Sequence, residues 1–384
     1  MGDSKSSDIP LTCAEYFAGI GLVRLGLEQA GWNIVYANDW AHDKFEMYSA
    51  HFKDARQHYQ IQDVFSIRHA DIPNTLLATA SFPCIDLSLA GNLAGISGQH
   101  SSAFWGFTQI LDHQVNKPRL VLLENVTGWL TSNGGQDFRL TIQALNRLGY
   151  ACDVYAINAD HFVPQSRPRI FVLGVQTPSV KQDISAFAGR SNSLKTLALK
   201  KAIAANHDLQ WHFIEVPPLP EKVTTNVSHI VENISDDDPR WWTEDEVQRH
   251  LNMMSSINLG YLKDLQDASH YSYCTMYRRV RSGKQRAELK KDGIAGCLRT
   301  ARGGSSRQML VRGGKETIRM RLMTPREYAR LQGVPDQYPL PSRINQALTG
   351  FGDAVCVPVI TWVADNILNS LVKSLQENPL ALHQ

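Results

Sequence analysis

The stretch LTCAEYFAGIGLVRLGLEQA, at residues 11–30, decides the fold that we expect for this chain. Residues 11–17 predict a strand and residues 22–30 predict a helix. Gly19 and Gly21 lie in the segment between them. Glycines at such a junction let the backbone turn sharply and approach a ligand closely. The stretch therefore predicts the beginning of an α/β fold with a ligand site at this turn.

Strand-like and helix-like patterns continue to alternate up to about residue 175. Further strands are predicted at 34–37, 76–80, 120–123, 152–158 and 170–175, and further helices at 104–114 and 137–148. This alternation is typical of a doubly wound, mostly parallel sheet. We therefore predict an α/β fold of this class, Rossmann-like in its first part.

The domain organisation follows from where that alternation weakens. Residues 1–10 are polar and predict a disordered start, and residues 11–175 form the predicted sheet domain. Apolar periodicity is patchy in residues 176–295, which predicts a second, smaller and irregular domain. Helical signals return with Thr324-Pro325-Arg326-Glu327, a capping box with proline at the first helical position. The segment 296–384 is accordingly expected to complete the first domain from about residue 320.

The composition indicates a protein of a reducing compartment. The chain has 384 residues, a formal net charge of +2 and 43% hydrophobic residues, which is ordinary for a globular protein. Its six cysteines are scattered without a C-x-x-C pair or nearby histidines, which argues against a disulfide framework and against a structural zinc site. No apolar run approaches a membrane span, and the N-terminus has no apolar signal segment. We expect a cytoplasmic protein without a bound metal.

Two acidic residues and a tryptophan follow the next strands after the glycine turn. Asp39 comes 18 residues after Gly21, where an acidic group can bind ribose hydroxyls. Trp40 could stack on a purine, and Asp63 could accept a hydrogen bond from an adenine amino group. A dinucleotide fingerprint would need a third glycine where this chain has Arg24. The pattern therefore favours a nucleoside cofactor without a pyrophosphate over NAD.

A thiol and a carboxyl group are predicted at two further strand ends. Cys84 follows Pro83 after the strand at 76–80, and Glu124 ends the strand at 120–123. Ligands of parallel sheets bind outside the carboxyl ends of the strands, so the pair suggests a nucleophile and its acid/base partner. A small buried apolar cysteine is the alternative. The preceding proline and the Glu124-Asn125 pair favour the nucleophile.

Basic residues concentrate late in the chain. Between Arg278 and Arg321 there are fourteen Lys and Arg residues against three acidic ones. With Tyr271, Tyr273 and Tyr277 nearby, this segment could attract a phosphate backbone. A solvated surface without a partner explains the charge equally well.

Read together, these motifs resemble those of the DNA (cytosine-5)-methyltransferases of bacterial restriction–modification systems, and they occur in that family's order. The resemblance covers nearly the whole chain except the central region. Its motifs are Phe17-Ala18-Gly19-Ile20-Gly21, Asp39-Trp40, Asp63, Phe82-Pro83-Cys84, Glu124-Asn125-Val126, Gln165-Ser166-Arg167-Pro168-Arg169, residues 299–304, residues 324–333 and Gly350-Phe351-Gly352-Asp353-Ala354-Val355. The chain departs from the family at Ile85, where many members have glutamine, and at Asp353, where asparagine is usual.

The resemblance implies a cofactor and the residues that bind it. S-adenosylmethionine would be the methyl donor, and no metal would be involved. The implied cofactor residues are Phe17, Gly19, Gly21, Asp39, Trp40, Asp63, Pro83, Asp353 and Ala354.

The resemblance also implies covalent catalysis. The Cys84 thiolate would add to C6 of cytosine, so that C5 can accept a methyl group. Protonated Glu124 would bond to N3, and Arg169 would hold O2. Arg167 would support the Cys84 loop or lower the pKa of its thiol.

Double-stranded DNA is the implied partner, with the target nucleotide rotated out of the duplex. Residues implied to contact the base or the DNA are Asn125, Gln165, Arg302, Gly303, Gly304 and Arg307, and residues 176–295 would be the target-recognition domain. We expect a monomer that associates with the bacterial nucleoid, has no membrane partner, and is paired in function with a restriction nuclease without a stable complex.

Three alternatives remain at this point. A related family branch methylates transfer RNA with the same motifs, although a long central region favours DNA. A catalytically inactive DNA-binding homologue is disfavoured by intact Cys84, Glu124 and Gln165/Arg167/Arg169. A nicotinamide oxidoreductase is disfavoured by Arg24.

Overall fold

A computed structural model describes residues 9–82, 103–177, 185–300 and 307–377. The chain divides into two compact units. The first unit consists of Met1–Ile157, Pro168–Leu219 and Val359–Gln384, and the second of Asn158–Arg167 and Pro220–Pro358. The sequence alone places the changes at 176, 296 and about 320.

The first unit is built on a seven-stranded sheet. Its strands are β1 (Thr12–Tyr16), β2 (Asn33–Asp39), β3 (Tyr59–Ile61), β4 (Leu77–Ala80), β5 (Leu120–Val126), β6 (Tyr150–Asn158) and β7 (Pro168–Gln176). Their order is β3-β2-β1-β4-β5-β7-β6. The pairings from β3 to β5 are parallel, and β7 runs antiparallel to β5. The predicted doubly wound, mostly parallel α/β fold is confirmed.

Five of the described helices lie between the strands of this unit, and the next two along the chain follow β7. They are α1 (Leu22–Gln29), α2 (His42–His51), α3 (Ala55–His58), α4 (Ala103–His113), α5 (Gln136–Arg147), α6 (Ser185–Ala188) and α7 (Leu197–Ala205). Helices α4 and α5 begin one residue before the predicted ones at 104 and 137. Sequence periodicity thus located both helices closely, because each has a continuous apolar face.

The strand order reverses between β1 and β4, since the chain proceeds outward through β2 and β3 and then returns to the other side of β1. In open α/β sheets, ligands bind at this reversal, outside the carboxyl ends of the strands. The ends of β1, β2, β4 and β5 all lie along this edge. The sheet therefore positions the predicted motifs side by side.

The core of the first unit extends past the sheet into residues 185–213. Trp129 and Phe138 pack with the apolar side chains of β4, β5 and β6. Trp211 stacks on Phe213, and both belong to the same buried cluster as Leu199. This packing explains why the first unit continues to Leu219, well beyond the last predicted strand.

The second unit contains a four-stranded antiparallel sheet. Its strands are β8 (Ser272–Arg281), β9 (Lys284–Lys290), β10 (Met309–Gly314) and β11 (Thr317–Leu322), in the order β11-β10-β8-β9. Its helices are α8 (Glu244–Leu251), α9 (Ser256–Gln266), α10 (Pro325–Leu331) and α11 (Ile344–Asp353).

The prediction that the central region is irregular is therefore wrong for residues 244–290. An apolar cluster that includes Cys274, Met276, Val311 and Met320 covers one face of the sheet. The other face is also buried along β10, where Leu310 lies between Thr275 and Arg321. Strands whose apolar residues are interrupted by cations and other polar residues lack the continuous apolar runs that identify a buried strand in a sequence. The sheet also takes two of its strands from beyond residue 295.

A buried ion pair stabilises the junction between β11 and α10. Arg321 donates through Nη1 and Nη2 to the two oxygens of Glu327, at 2.8 and 2.5 Å, and both side chains are fully buried. Glu327 also accepts from the Thr324 N–H at 2.9 Å, and its own N–H donates to the Thr324 hydroxyl. The predicted capping box is confirmed, with Pro325 at the first helical position.

The chain returns to the first unit with α12 (Val357–Val363), a π-helical turn (Ala364–Leu368) and α13 (Asn369–Glu377). The Trp32 indole N–H donates to Asn369 at 2.8 Å, and the Thr361 hydroxyl donates to the Gly26 carbonyl at 3.2 Å. By length and hydropathy the stretch Ile344–Gln376 could span a membrane, but 67% of its most apolar window is buried inside the protein. Interior helices of a globular fold pass the same test.

We predict that Glu327→Gln strongly destabilises the second unit. The change leaves the Arg321 guanidinium buried without its counter-charge, which costs about 3–5 kcal/mol. The matched control is Asp336→Asn, which breaks the partly exposed Arg330–Asp336 pair and should cost about 1 kcal/mol or less. Urea unfolding followed by tryptophan fluorescence measures both. A loss for Glu327→Gln no larger than for Asp336→Asn would contradict the prediction.

Candidate functional site

The backbone between β1 and α1 turns through three left-handed residues. Phe17, Gly19 and Gly21 have φ values of 57°, 56° and 81°. The Ala18 N–H donates to the Asn38 carbonyl at 2.9 Å, which joins the turn to the end of β2. The left-handed conformation costs non-glycine residues about 1–2 kcal/mol. The contacts around Phe17 must therefore compensate for this backbone strain.

Asp39 fixes this turn from the neighbouring strand. Its carboxylate is 3% exposed and accepts from the Gly19 N–H at 3.0 Å and from the Ala41 N–H at 2.9 Å. The Lys44 ammonium lies 4.0 Å from the same carboxylate. Each carboxylate oxygen can accept more than one hydrogen bond. Asp39 can therefore hold the turn and still accept from a ligand hydroxyl.

Trp40 and Asp63 lie beside this turn on the same edge of the sheet. The Trp40 side chain is 74% exposed, although indole rings are usually largely buried. Asp63 is exposed and caps a short helical turn by accepting from the Phe65 N–H at 2.9 Å. An exposed ring and a carboxylate next to the turn suit a planar ligand with amino groups.

Asn125 hydrogen-bonds to the backbone just after the end of β4. Its amide N–H donates to the Phe82 carbonyl at 3.2 Å, and its carbonyl oxygen accepts from the Val126 N–H at 2.8 Å. The side chain is 4% exposed. The sequence predicts a contact of Asn125 with the target base or DNA. That contact stays a prediction; in the structure the side chain ties the ends of two adjacent strands together.

Glu124 and Arg169 form an ion pair at the end of β5. Arg169 Nε lies 2.9 Å from Glu124 Oε1, and both side chains are largely buried. Val126 is opposite Arg169 and Glu124 is opposite Phe171, so the two charged residues are diagonal neighbours on one face. Arg169 also donates to the Pro168 carbonyl at 2.9 Å. The pair fixes the orientation of the Glu124 carboxyl group.

Several predicted site residues lie outside the described residues. They are Pro83, Cys84, Arg302, Gly303 and Gly304. Phe82, the last described residue before Pro83, is buried and packs edge-on against Trp129 at 5.7 Å. The strand end that precedes Cys84 is therefore well anchored.

Gln165 is fully buried in the second unit. Its amide donates to the Leu331 carbonyl at 2.7 Å and accepts from the Leu298 N–H at 3.0 Å. Both ends of this amide are thus bonded to the backbone. Gln165 therefore bridges two backbone segments, and its predicted contact with the target base or DNA stays a prediction.

Arg167 is 2% exposed and binds three backbone carbonyls of the second unit. Its guanidinium donates to Leu298 at 2.8 Å, to Gly352 at 3.1 Å and to Ala354 at 2.5 Å. These bonds hold together segments that are distant in sequence. A contact of Arg167 with the Cys84 loop stays a prediction, because that loop lies outside the described residues.

The remaining predicted residues belong to the second unit. The Asp353 carboxylate is exposed and accepts from the Thr300 hydroxyl, and the Ala354 carbonyl also accepts from Gln332 at 3.1 Å. Arg307 donates to the Asn345 side chain. All three therefore have partners within that unit.

The sequence did not identify the residues that pack next to the glycine turn and hydrogen-bond to it. Arg24, noted only for occupying the third glycine position, is buried and donates to both oxygens of Asp54 at 3.0 and 2.9 Å. Its guanidinium lies 4.0 Å from the centre of the Phe52 ring. The Tyr59 hydroxyl donates to the Gly19 carbonyl at 3.2 Å. No motif identifies these residues, because their partners come from separate elements.

Glu15 is a further buried group on β1. Burial raises the pKa of its carboxyl group to about 8, against the opposing influence of Arg24. The side chain is therefore largely protonated at neutral pH. Among the described residues, no group of three or more His, Cys, Asp or Glu side chains could hold a metal ion.

Comparison with known proteins gives consistent matches over nearly the whole chain. The family described as C-5 cytosine-specific DNA methylase matches residues 11–369. The Type II methyltransferase M.SsoII of Shigella sonnei is 28% identical over 365 residues, which covers 93% of this chain and 80% of that protein. The Type II methyltransferase M.HaeII of Haemophilus aegyptius is 28% identical over 358 residues, covering 93% and 92%.

Solved structures share the fold. The S. pombe Dnmt2 methyltransferase matches with a TM-score of 0.60 at 16% identity, over 94% of this chain and 99% of that one. The Entamoeba histolytica methyltransferase EhMeth matches with a TM-score of 0.62 at 15% identity, with the same coverage. At these identities the likeness shows the fold alone.

We predict that alanine is worse tolerated at Gly21 than at Gly19. Both residues are left-handed, so each substitution should cost about 1–2 kcal/mol in backbone strain. A Cβ at Gly21 would also lie 2.5 Å from the Phe52 ring and 2.7 Å from the Tyr48 ring, whereas a Cβ at Gly19 would meet nothing nearer than 3.9 Å. Overpacking adds about 1–3 kcal/mol. Urea unfolding of the two variants measures the difference, and equal losses would contradict the steric explanation.

Proposed function

Because the chain belongs to the C-5 cytosine-specific DNA methylases, which match it over residues 11–369, we propose that it transfers a methyl group from S-adenosylmethionine to C5 of a flipped-out cytosine, through a covalent Cys84 adduct, in a specific duplex DNA sequence. One observation supports this proposal most directly. The Glu124–Arg169 pair lies at the end of β5, next to the strand end that Asn125 ties down before Pro83 and Cys84. An oriented carboxyl group beside a thiol-bearing loop is what nucleophilic addition to a heterocycle requires.

The glycine turn fits a nucleoside cofactor. A Cβ at Gly19 would meet no atom nearer than 3.9 Å, so a ligand can approach the backbone there. We propose that Asp39 binds the ribose hydroxyls, that the exposed Trp40 ring stacks on the adenine, and that Asp63 accepts from its amino group. Phe17, Gly21, Pro83, Asp353 and Ala354 are proposed to complete the site. When bound, S-adenosylmethionine supplies the electrophilic methyl group.

Cys84 is the proposed nucleophile. Its thiolate would add to C6, and the electron pair of the C5–C6 double bond would then form the bond from C5 to the methyl carbon. The methyl–sulfur bond would break in the same step, and S-adenosylhomocysteine would leave as a neutral thioether. A base then removes the C5 proton, the double bond reforms, and the thiolate leaves. A thiol suits both halves of this sequence because it adds readily and is a good leaving group.

Glu124 and the two arginines assist this addition. We propose that Glu124 donates a proton or hydrogen bond to N3, which draws electron density from C6 as the thiolate attacks. Arg169, which already orients Glu124, is proposed to donate to O2 of the base. Arg167, through its backbone bonds, is proposed to support the loop that carries Cys84.

The target cytosine must leave the duplex to reach this site. We propose that the loop containing Arg302, Gly303 and Gly304, with Arg307, contacts the DNA near the vacated position. Recognition of the DNA sequence is proposed to reside mainly in residues 176–295. Gln165 and Asn125 are also proposed to contact the target base or the DNA, from buried positions in which each bonds to the backbone.

The curated relatives are named as Type II methyltransferases. We propose that this chain likewise protects host DNA in a restriction–modification system. It would act as a cytoplasmic, nucleoid-associated monomer, paired in function with a nuclease that recognises the same sequence but forms no stable complex with it.

Bisulfite sequencing tests the proposed function. DNA and transfer RNA are isolated from cells that express the chain and from cells that express Cys84→Ser. The expected result is 5-methylcytosine at one position of one DNA sequence, only with the wild-type chain. Methylation confined to transfer RNA would assign the substrate to RNA instead.

We predict that Cys84→Ser reduces methyl transfer by several orders of magnitude while it retains S-adenosylmethionine binding. Serine keeps the size of the side chain but is a far weaker nucleophile near neutral pH. A duplex with 5-fluorocytosine at the target position should trap a covalent adduct with the wild-type chain, because no proton can leave C5. Mass spectrometry should locate it on the peptide that contains Cys84. An active enzyme that forms no adduct would disprove this role.

We predict that Glu124→Gln lowers the rate of methyl transfer by about 10²–10⁴-fold, the usual contribution of a general acid–base group. Glutamine keeps the shape but cannot supply the same proton to N3, so affinity for S-adenosylmethionine should change little. The matched control is Glu246→Gln, an exposed glutamate that also pairs with an arginine. Single-turnover rates and cofactor titration separate the two effects. Normal turnover by Glu124→Gln would remove this residue from the mechanism.

A further inference from the structure

The hairpin formed by β8 and β9 extends past the sheet to which it belongs. β8 pairs with β9 from Thr275↔Lys290 to Arg281↔Lys284, whereas β10 pairs with β8 only between Ser272 and Met276. The Ala287 N–H donates to the Met253 carbonyl at 3.2 Å, which anchors the hairpin at its base. Every residue from 279 to 286 is exposed. We name residues 279–286 the ribbon.

The ribbon ends in a tight turn. Ser282 and Gly283 have φ values of 49° and 73°, as in the two-residue turns whose twist matches that of antiparallel strands. Its three residue pairs rise by roughly 10 Å, at about 3.4 Å per residue. The ribbon is therefore a short, narrow projection with a defined register.

One face of the ribbon carries four cations. Arg279 is directly opposite Arg286, and Arg281 is directly opposite Lys284. The one carboxylate on this face among the described hairpin residues is Glu288, whose oxygens lie 3.1 Å from Arg281 and 3.9 Å from Arg279. The Arg279 guanidinium also lies 4.6 Å from the centre of the Tyr277 ring.

The opposite face differs in charge. It presents Val280 and Gln285, with Arg278 and the buried Ala287 at the base. The sequence groups Arg278 with Arg279 and Arg281, but the register places Arg278 on the other face, where it is half-buried. Strand alternation thus separates a cationic face from a nearly uncharged one.

Directly opposed cations destabilise a sheet in the free protein. Two such pairs follow one another here, and one glutamate offsets them only in part. Contact with a polyanion would turn this repulsion into attraction. The arrangement therefore favours an anionic partner over a surface that only needs solvation.

We infer that the ribbon inserts into the major groove of duplex DNA, with its cationic face against one phosphate backbone and its tip against the base edges. This inference rests on the proposed function, which makes duplex DNA the substrate. The major groove is about 12 Å wide and about 8.5 Å deep and admits a two-stranded ribbon, whereas the minor groove is only about 6 Å wide. The ribbon's projection matches the depth of the major groove.

The register assigns different roles to residues along the ribbon. Arg281 and Lys284 flank the turn and enter deepest, so they read base edges. An arginine can donate two hydrogen bonds to O6 and N7 of guanine. Arg279 and Arg286 lie one step closer to the base of the ribbon, at the height of the groove walls, and contact phosphates.

The test compares three variants of the full chain. Arg279→Gln/Arg286→Gln removes the proposed phosphate contacts, and Arg281→Gln removes the proposed base contact. Arg249→Gln is the matched control, because Arg249 is 62% exposed and lies 3.6 Å from Glu246, whereas Arg281 is 58% exposed and lies 3.1 Å from Glu288. The probes are the duplex methylated in cells, a scrambled duplex and an RNA duplex of the same sequence.

The double variant should bind both DNA duplexes more weakly than the control. The slope of log K against log salt should become shallower by about 1.8, at about 0.9 per lost phosphate contact. Removing opposed cations should leave the urea midpoint of unfolding unchanged or raise it. The weaker DNA binding would then not be caused by unfolding. Binding and salt slopes equal to those of Arg249→Gln would overturn the inference.

Arg281→Gln should relax one position of the recognised sequence. Discrimination against a changed base there should fall on the order of 10- to 100-fold, as for the loss of a bidentate base contact. Dimethyl sulfate footprinting should show a guanine N7 that the wild-type chain protects and this variant does not. An unchanged N7 footprint would overturn the base contact, and protection of adenine N3 alone would assign the ribbon to the minor groove instead.

Two further outcomes keep this inference separate from the proposed function. If no cytosine in duplex DNA is methylated, the proposed function fails, while the salt slopes on the scrambled duplex still report on the ribbon. The major groove of A-form RNA is too deep and narrow for side chains to read. If the same arginines contributed equally to binding of the RNA duplex, the major-groove assignment would fail even with active methyl transfer on DNA.

Discussion

The need to satisfy backbone groups where parallel strands end governs the candidate site. At the carboxyl edge of the sheet the ladder stops, and the freed N–H and C=O groups need other partners. Asp39 binds the N–H groups of Gly19 and Ala41, and Asn125 binds the carbonyl of Phe82. These side chains join neighbouring strand ends, so the segments that carry the reactive residues leave the sheet from fixed points.

Arginine has four distinct physical roles in this chain. Arg24 lies between Asp54 and an aromatic ring, Arg321 is paired with buried Glu327, and Arg167 donates to backbone carbonyls. The ribbon arginines are exposed and opposed to other cations. A buried guanidinium needs acceptors for its donors, whereas an exposed one is free to meet a phosphate. Burial and register, rather than charge count, therefore distinguish structural arginines from those that we assign to DNA.

The two units have different roles in the proposed reaction. The first unit carries the glycine turn, Asp39 and the Glu124–Arg169 pair on a rigid, mostly parallel sheet with a continuous apolar core. The second has a smaller sheet with one apolar face, from which a basic hairpin extends. A rigid scaffold suits chemistry that needs exact placement, and an exposed hairpin at the edge of a small sheet suits sequence-specific contacts.

The sequence by itself determined the fold class and the main motifs. Alternating periodicity predicted the strands and helices of the first unit, and ordered motifs identified the family, because local patterns and short motifs are written in consecutive residues. Only the tertiary structure decided which polar residues are buried. Gln165 and Asn125 proved to be backbone ties, Arg24 a buried support, and the central region a sheet completed by strands beyond residue 295. Such roles depend on partners far away in the chain, and a cation looks the same in the sequence whether its neighbour is a carbonyl, a carboxylate or water.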